Sequence, residues 1–582
     1  MKKWPFSFPH HPLGLLALGL ISVPFVGGDF FAYQIGLFLI YGIATQGVAL
    51  CWGRLGFLPL GHALFFGLGA YLAGGVLKAS TKEPMWLFAL PIALLIPALL
   101  AWVLAFMVFS RSLRNGPYFS LITLAMSMLG FLAAQQWSEV TGGFNGLGDI
   151  PEVAGLDRYS SFYWVVACVA FCTTVLLSIL VKRPIGILWR AISQNEDRLQ
   201  LFGYATDRIK ANAFAFSAFL AAMAGALFSA HQGIVTPQAL GFVLSTEFVI
   251  WAAVGGKSSP AGALLGAVLV GYASAELRDF FSFWEVIVGA AFIVVVRFMP
   301  QGMAGIWINK QEQKNSTTND PPQLAPTSSA PYKVPDLIFD GVRVTQSGVK
   351  ILDALTFSVN GPGIRAIIGP NGAGKTSTFN ALTGRLPVRG GKVSIAGIDV
   401  TGWRAWQVAR LGIGRKMQIP SVFSELTVDQ NLHIALWAGR MHGTQSLQRS
   451  PLAWNTKICD EMLDLFSALK DQRHVTAGLL SQGHRQALEF VMTVLPEPHL
   501  LLLDEPCAGL SPAETHRMIE VIQFAVQRLG AAALLIEHDI SAVAALGGDV
   551  YVFHQGKLLA QGLLAEVQNN RDVRAVYAGA KK

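Results

Sequence analysis

At 582 residues the chain is too long for one domain and should hold two or three. Hydrophobic residues make up 52% of it and charged residues only 14%, against roughly 25% charged for a soluble protein, and the apolar excess lies before about Trp307. The net charge of +8 does not indicate nucleic acid as a partner, because the basic residues sit in short loops between apolar runs, the distribution of a membrane protein with positive cytoplasmic loops.

The N-terminus, Met1-Lys2-Lys3 followed by an apolar run from Leu13, imitates a secretion signal. No small-x-small cleavage site follows, so it reads as an uncleaved first span. A spanning helix needs about 20 mostly apolar residues. Candidate spans lie near 13–26, 32–51, 55–77, 85–109, 117–135, 162–181, 211–230, 245–255, 260–276 and 283–298. The loops holding Arg54, Arg111/Arg114, Lys182/Arg183/Arg190 and Lys257 should face the cytoplasm. Loop 136–161, with Glu139, Asp149, Glu152 and Asp157, should face outside. About ten crossings satisfy both demands and put both termini inside. Within the spans, Gly262 and Gly266 form a GxxxG, a spacing that lets helices approach closely. His62 and Glu247 fall in or near spans, where ionisable groups are costly and often line a path; they are candidates for a substrate path, against helix-helix hydrogen bonding. Cys51, Cys168, Cys172, Cys459 and Cys507 have no metal-site spacing and read as packing residues.

The pattern breaks at residues 309–335, polar and then rich in Pro and Ser, the composition of a flexible linker. From about Val334, apolar strands alternate with helical patterns. The expected division is therefore a polytopic α-helical membrane domain over 1–308, a linker over 309–335, and an α/β nucleotide-binding domain over 336–582.

Gly369-Pro370-Asn371-Gly372-Ala373-Gly374-Lys375-Thr376 is a complete G-x-x-x-x-G-K-T phosphate loop. The strand-like Arg365–Ile368 precedes it and a helix from Ser377 follows. Backbone N–H groups and the helix N-terminus converge on phosphate oxygens in that setting. Lys375 is expected to reach the β- and γ-phosphates of a nucleotide, and the Thr376 hydroxyl to bind Mg2+; the loop alone does not separate a GTPase, a kinase and a transport ATPase. Leu500-Leu501-Leu502-Leu503-Asp504-Glu505 reads as a strand buried on both faces and ending in two acids. Asp504 is placed to hold magnesium, and Glu505 to act as general base on the attacking water.

Three further motifs stand in order along the chain: Gln418 after Gly414-Arg415-Lys416-Met417, Leu480-Ser481-Gln482-Gly483-His484 ahead of the acidic strand, and His538 closing Leu534-Leu535-Ile536-Glu537. With the phosphate loop they make the ordered set of an ATP-binding-cassette (ABC) ATPase, which residues 335–582 resemble. The resemblance implies that Gln418 senses the γ-phosphate and magnesium. It implies that Ser481, Gln482 and Gly483 contact ATP bound to a partner cassette, and that His538 meets the γ-phosphate across from Glu505. There are departures. His484 stands where glutamine is common, Gln346 where an aromatic usually stacks on adenine, and Ser511 where many cassettes carry Asp. The lysine, the acids and the histidine are present, so a working ATPase is expected.

The helical half resembles permeases of the branched-chain amino acid and urea uptake family. The matching stretches are Trp52–Gly56 with Leu60–His62, Gly143–Leu147, and Ile250–Gly256, the last looking most like the urea-type branch. In that family permease and ATPase usually occupy separate chains; here they are fused. The expected function is ATP-driven import of a branched-chain amino acid, urea or a short-chain amide across the cytoplasmic membrane of a bacterium. The resemblance implies a second permease-cassette pair, because ATP sites form between two cassettes, and an extracytoplasmic solute-binding protein docking on loops such as 136–161. The charged stretch Arg190–Tyr204 is expected to form a short helix docking near Gln418. An exporter half-transporter is the alternative, disfavoured because exporters have fewer spans with long cytoplasmic extensions. A membrane sensor is a third reading, disfavoured because no signalling domain is visible.

Overall fold

The structure, a computed structural model, describes residues 12–79, 86–110, 116–153, 155–299, 301–305, 323–326 and 336–579. Two compact units make it up: Met1–Ser193 with Asp207–Thr317, and Gln194–Thr206 with Thr318–Lys582. The second unit thus includes a segment taken from inside the helical half. Arg111 and Arg114 lie outside the described residues, as does most of the linker expected over 309–335. Within that linker, however, Gln323–Leu324 form a short strand parallel to Trp454–Asn455. Ala325 N donates to Asn455 O at 2.9 Å. Flexible composition is overridden here because an extended backbone finds an open strand edge.

Among the described residues before the linker, the α-helices longer than one turn are α1 (Pro12–Ala49), α2 (Ala63–Ala79), α3 (Trp86–Ser110), α4 (Gly116–Gln136), α5 (Phe162–Val181), α6 (Pro184–Gln200), α7 (Thr206–Gln232), α8 (Phe242–Gly255), α9 (Pro260–Phe280) and α10 (Trp284–Phe298). Among the described residues six helices are long and apolar enough to cross a membrane, and three more are apolar but shorter. The first long run, Leu13–Arg54, takes in both spans expected at 13–26 and 32–51. Gly28, with φ 72° and ψ −174°, interrupts it near the expected boundary.

The helix expected over 55–77 begins only at Ala63. A π-helical turn, Leu50–Arg54, follows α1, and the chain then bends through residues 56–62. Gly61 shows why the bend is kept: a Cβ there would lie 1.8 Å from Thr123 O. Ser120 Oγ, on the same helix as Thr123, donates to Leu58 O at 2.6 Å.

Within the first unit, two groups of loops meet through side-chain and backbone contacts. At one, Arg54 Nη2 donates to Ser258 O at 2.5 Å, and the Lys257 ammonium lies 4.7 Å from the Trp52 ring centre. At the other, Lys78 Nζ donates to Gly148 O at 2.9 Å, Leu147 bridges Val235, and Arg158 Nη2 donates to Ile150 O at 2.9 Å.

The second unit is built on two sheets. The strands β1 (Leu337–Gln346), β2 (Val349–Val359), β4 (Gly390–Ile395) and β5 (Ile398–Asp399) form an antiparallel sheet in the order β2-β1-β4-β5. The other sheet takes β3 (Gly363–Ile368), β6 (Ile413–Lys416), β7 (Leu500–Asp504), β8 (Ala532–Ile536), β9 (Asp549–His554) and β10 (Lys557–Leu563), in the order β10-β9-β3-β8-β7-β6. All its pairs are parallel except β9 with β10. Every residue of β7 and β8 is buried, as a central parallel strand covered on both faces requires. β1 alternates buried and exposed residues instead, and Phe339, Phe357 and Phe553 join the two sheets in one core. The parallel order brings the C-terminal ends of β3, β7 and β8 side by side, where such sheets bind ligands.

Candidate nucleotide site

The loop Gly369–Gly374 joins β3 to α11 (Lys375–Leu382). Gly369 has φ 152°, and a Cβ on it would lie 2.3 Å from Phe553 O, so the loop enters through a gap only glycine fits. Asn371 and Gly372 are exposed at its crown, while Ala373 is buried, its N–H donating to Pro370 O at 3.2 Å. Lys375 Nζ donates to Gly369 O at 2.8 Å and Pro370 O at 3.1 Å. Burial lowers the pKa of this ammonium, against the pull of Glu505 and Asp504. Thr376 and Ser377 stand half-buried in the first turn of α11.

Asp504 ends β7 at 1% exposure, and its Oδ1 accepts from Thr376 Oγ1 at 3.3 Å. Burial holds this carboxyl above the ordinary carboxylate range although Arg415 pulls the other way. Glu505 follows with φ 46°, a left-handed conformation uncommon outside glycine; such strain concentrates at functional sites. Its N–H donates to Ile536 O at 3.0 Å, and its Oε1 lies 3.0 Å from His538 Nε2. The two motifs read at opposite ends of a long sequence interval therefore meet. Glu537, which motif reading passed over, accepts the N–H groups of Cys507 at 3.0 Å and His538 at 3.3 Å. Burial raises its pKa. An acid closing an apolar strand was the available signal.

Gln418 is exposed just beyond β6 and makes no hydrogen bond among the described residues. Ser481 caps α12 (Gln482–Val494), its Oγ accepting from His484 N at 3.2 Å. Ser481 and Gln482 are exposed and Gly483 is half-buried, which leaves the helix N-terminus exposed. Gln346 is exposed at the β1–β2 hairpin, opposite Val349. Ser511 caps the helix Pro512–Leu529 through a capping box with Glu514.

Comparison with known proteins agrees with this geometry. Residues 30–296 match the family model "Branched-chain amino acid transport system / permease component", and residues 352–508 match "ABC transporter". The "High-affinity branched-chain amino acid transport ATP-binding protein LivG" of Salmonella typhimurium is 33% identical over 252 residues, 42% of this chain and 98% of the relative. BraF of Pseudomonas aeruginosa, with the same description, is 30% identical over 255 residues, again 42% of this chain and 98% of the relative. Among solved structures, a nucleotide-free ATP-binding cassette from an ABC transporter is 25% identical, covering 42% of this chain and 98% of its own at a TM-score of 0.36. The chain belongs to the branched-chain amino acid family of ABC transporters. The transporter carries on one chain a permease domain and a cassette that hydrolyses ATP for transport.

Within the transporter's second unit, Gln194–Thr206 are held by many bonds. Asn195, with φ −154° and ψ 85°, breaks α6. Its Oδ1 accepts from Arg198 N at 2.9 Å and its Nδ2 donates to Ser421 Oγ at 2.9 Å, so Asn195 caps the short helix that follows. Asp197 pairs with Arg385 at 2.6 Å. Tyr204 Oη donates to Ile434 O at 2.8 Å, and Arg410 Nε donates to Gly203 O at 2.8 Å. Arg198 is 1% exposed; its Nη1 donates to Arg415 O at 2.5 Å and its Nη2 to Thr493 Oγ1 at 3.1 Å. The helix expected at Arg190–Tyr204 is thus split at Asn195, and its second part bonds through Arg198 to the backbone before Gln418.

In the transporter's first unit His62 is fully buried, with Nε2 3.3 Å from Ser217 Oγ on α7 and no partner for Nδ1. Glu247 is half-buried on α8, and His62 makes no bond to it. Next to them, Ala63 N donates to Ser245 Oγ at 3.0 Å.

Proposed function

We propose that the transporter imports a small solute across the cytoplasmic membrane of a bacterium, a branched-chain amino acid being the class its relatives' names favour over urea or a short-chain amide. The observation that carries this reading is the place of Gln194–Thr206. A segment between two helices of the permease half is built into the ATPase unit, so work done in one is felt in the other. A second permease-cassette pair completes the machine, because Ser481, Gln482 and Gly483 present their helix N-terminus outward. An extracytoplasmic solute-binding protein delivers cargo at the end bearing loop 136–161.

The residues around the phosphate loop fit Mg–ATP. The loop from Gly369 to Thr376, with Ser377, offers N–H groups and hydroxyls, and Asp504 and Thr376 supply the oxygen donors that magnesium prefers. Bound Mg–ATP supplies the phosphoryl group transferred to water. Lys375 turns from its own loop's carbonyls to phosphate oxygens. Glu505 takes the proton of the attacking water, with His538 orienting the carboxylate. Gln418, exposed beside the segment's docking site, reports the nucleotide state to the membrane helices. His62 and Glu247 are the proposed polar points on the solute path.

Uptake of radiolabelled leucine, isoleucine, valine and urea by intact cells tests the reading, with Lys375→Ala as control. ATP-dependent accumulation of one of them, lost in the variant, is expected. Accumulation that persists in the variant, or energy-dependent efflux instead, would overturn it.

A further inference from the structure

Glu489 is a carboxylate that the nucleotide chemistry does not use. It lies on α12, the helix capped by Ser481, with its side chain fully buried. Oε1 accepts from Met417 N at 3.1 Å and lies 3.5 Å from Arg198 Nη1. Oε2 has no hydrogen-bond partner. The Lys416 ammonium, also fully buried, stands 3.7 Å from it and donates instead to Met417 O at 3.1 Å. Two buried cations therefore share one carboxylate. A buried charge left without its counter-ion is costly, so neither cation can move far from Glu489.

The three groups belong to three working parts. Arg198 is on the segment Gln194–Thr206, and it also donates to Glu489 O at 3.3 Å and to Thr493 Oγ1, both on α12. Lys416 and Met417 lead directly into Gln418. Ser481, at the head of α12, lies eight residues from Glu489, about 12 Å at 1.5 Å per residue along a rigid helix. We propose that Glu489 is a positioning residue that makes the docked segment, the strand entering Gln418 and the Ser481 helix move as one. This rests on the reading of Gln418 and Ser481 as ATP-site residues and adds the part that links them. When Gln418 shifts, the Met417 N–H and the Lys416 ammonium carry the Glu489 carboxylate with them, and the carboxylate draws Arg198 and α12 along.

The test is hydrogen-deuterium exchange on the full chain in lipid nanodiscs, with and without Mg-ATP, reading segments 415–420 and 194–206. In the native chain both should change their exchange on adding ATP. Glu489→Gln keeps the shape and an acceptor for Met417 N but removes the charge. It should retain the ATP-induced change at 415–420 and lose at least half of that at 194–206, while Glu489→Asp restores part of it. Loss of packing alone would raise exchange in both segments without regard to ATP. If Glu489→Gln does not fold, Lys416→Met, which leaves the Arg198–Glu489 pair, should show the same uncoupling. Full ATP-induced change at 194–206 in the folded variants overturns the proposal. No ATP-induced change at 415–420 in the native chain would instead sink the reading of Gln418.

Discussion

Replacing Glu505 by glutamine separates chemistry from binding. The amide has nearly the shape of the carboxylate and keeps an oxygen facing His538 Nε2, now 3.0 Å from Oε1. It cannot accept a proton from water near neutral pH. Proton transfer by a positioned side chain is worth about 10²–10⁴ in rate, or about 2.7–5.4 kcal/mol of barrier at 1.36 kcal/mol per tenfold. The groups proposed to hold nucleotide are untouched: Lys375 sits on the phosphate loop, and Thr376 and Asp504 pair at 3.3 Å on neighbouring elements. The strained backbone at Glu505, φ 46°, is inherited by glutamine. Phosphate release by the purified chain in nanodiscs should therefore fall at least about 100-fold, while binding of a fluorescent ATP analogue changes by no more than about threefold, under 1 kcal/mol. Turnover within threefold of native would refute Glu505 as the base. Turnover and binding lost together would show that the residue supports the site rather than the reaction.

Two further expectations follow from burial. Asp504 is held above the ordinary carboxylate range. Its ionised form therefore opposes folding, an effect absent below the unfolded-state value near 3.8 and growing as pH rises through the raised one. Without nucleotide, Asp504→Asn should gain stability relative to native as pH rises from 4 to 8, which melting curves across that range would follow; parallel curves would contradict the assignment. Gly61→Ala would put a Cβ 1.8 Å from Thr123 O, an overpacking worth about 1–3 kcal/mol or more. The yield of monodisperse chain in detergent should drop while ATP binding per folded molecule is unchanged.

The phosphate loop, the acidic strand and the order of the ABC motifs were legible in the sequence because each is local. A few contiguous residues fix a turn, a buried strand or a helix start, and the chemistry is bound to that backbone shape. Span positions were legible for the same reason, since apolar length follows from bilayer thickness. Where local features conflicted the reading slipped. Residues 55–62 are apolar enough to be a span, yet Gly61 bends the chain because Thr123 O needs the space. Residues 323–326 have linker composition, yet an open edge at Trp454–Asn455 captures them.

Tertiary structure alone decided which distant charges share one site. Glu505 meets His538 because parallel pairing sets β7 and β8 side by side. Arg198, Lys416 and Glu489 are scattered over almost 300 positions, and nothing local distinguishes them from solvated charges; only packing removes the water and obliges them to compensate one another. The sequence by itself determined what the phosphate loop can bind, and the fold decided which parts move with it.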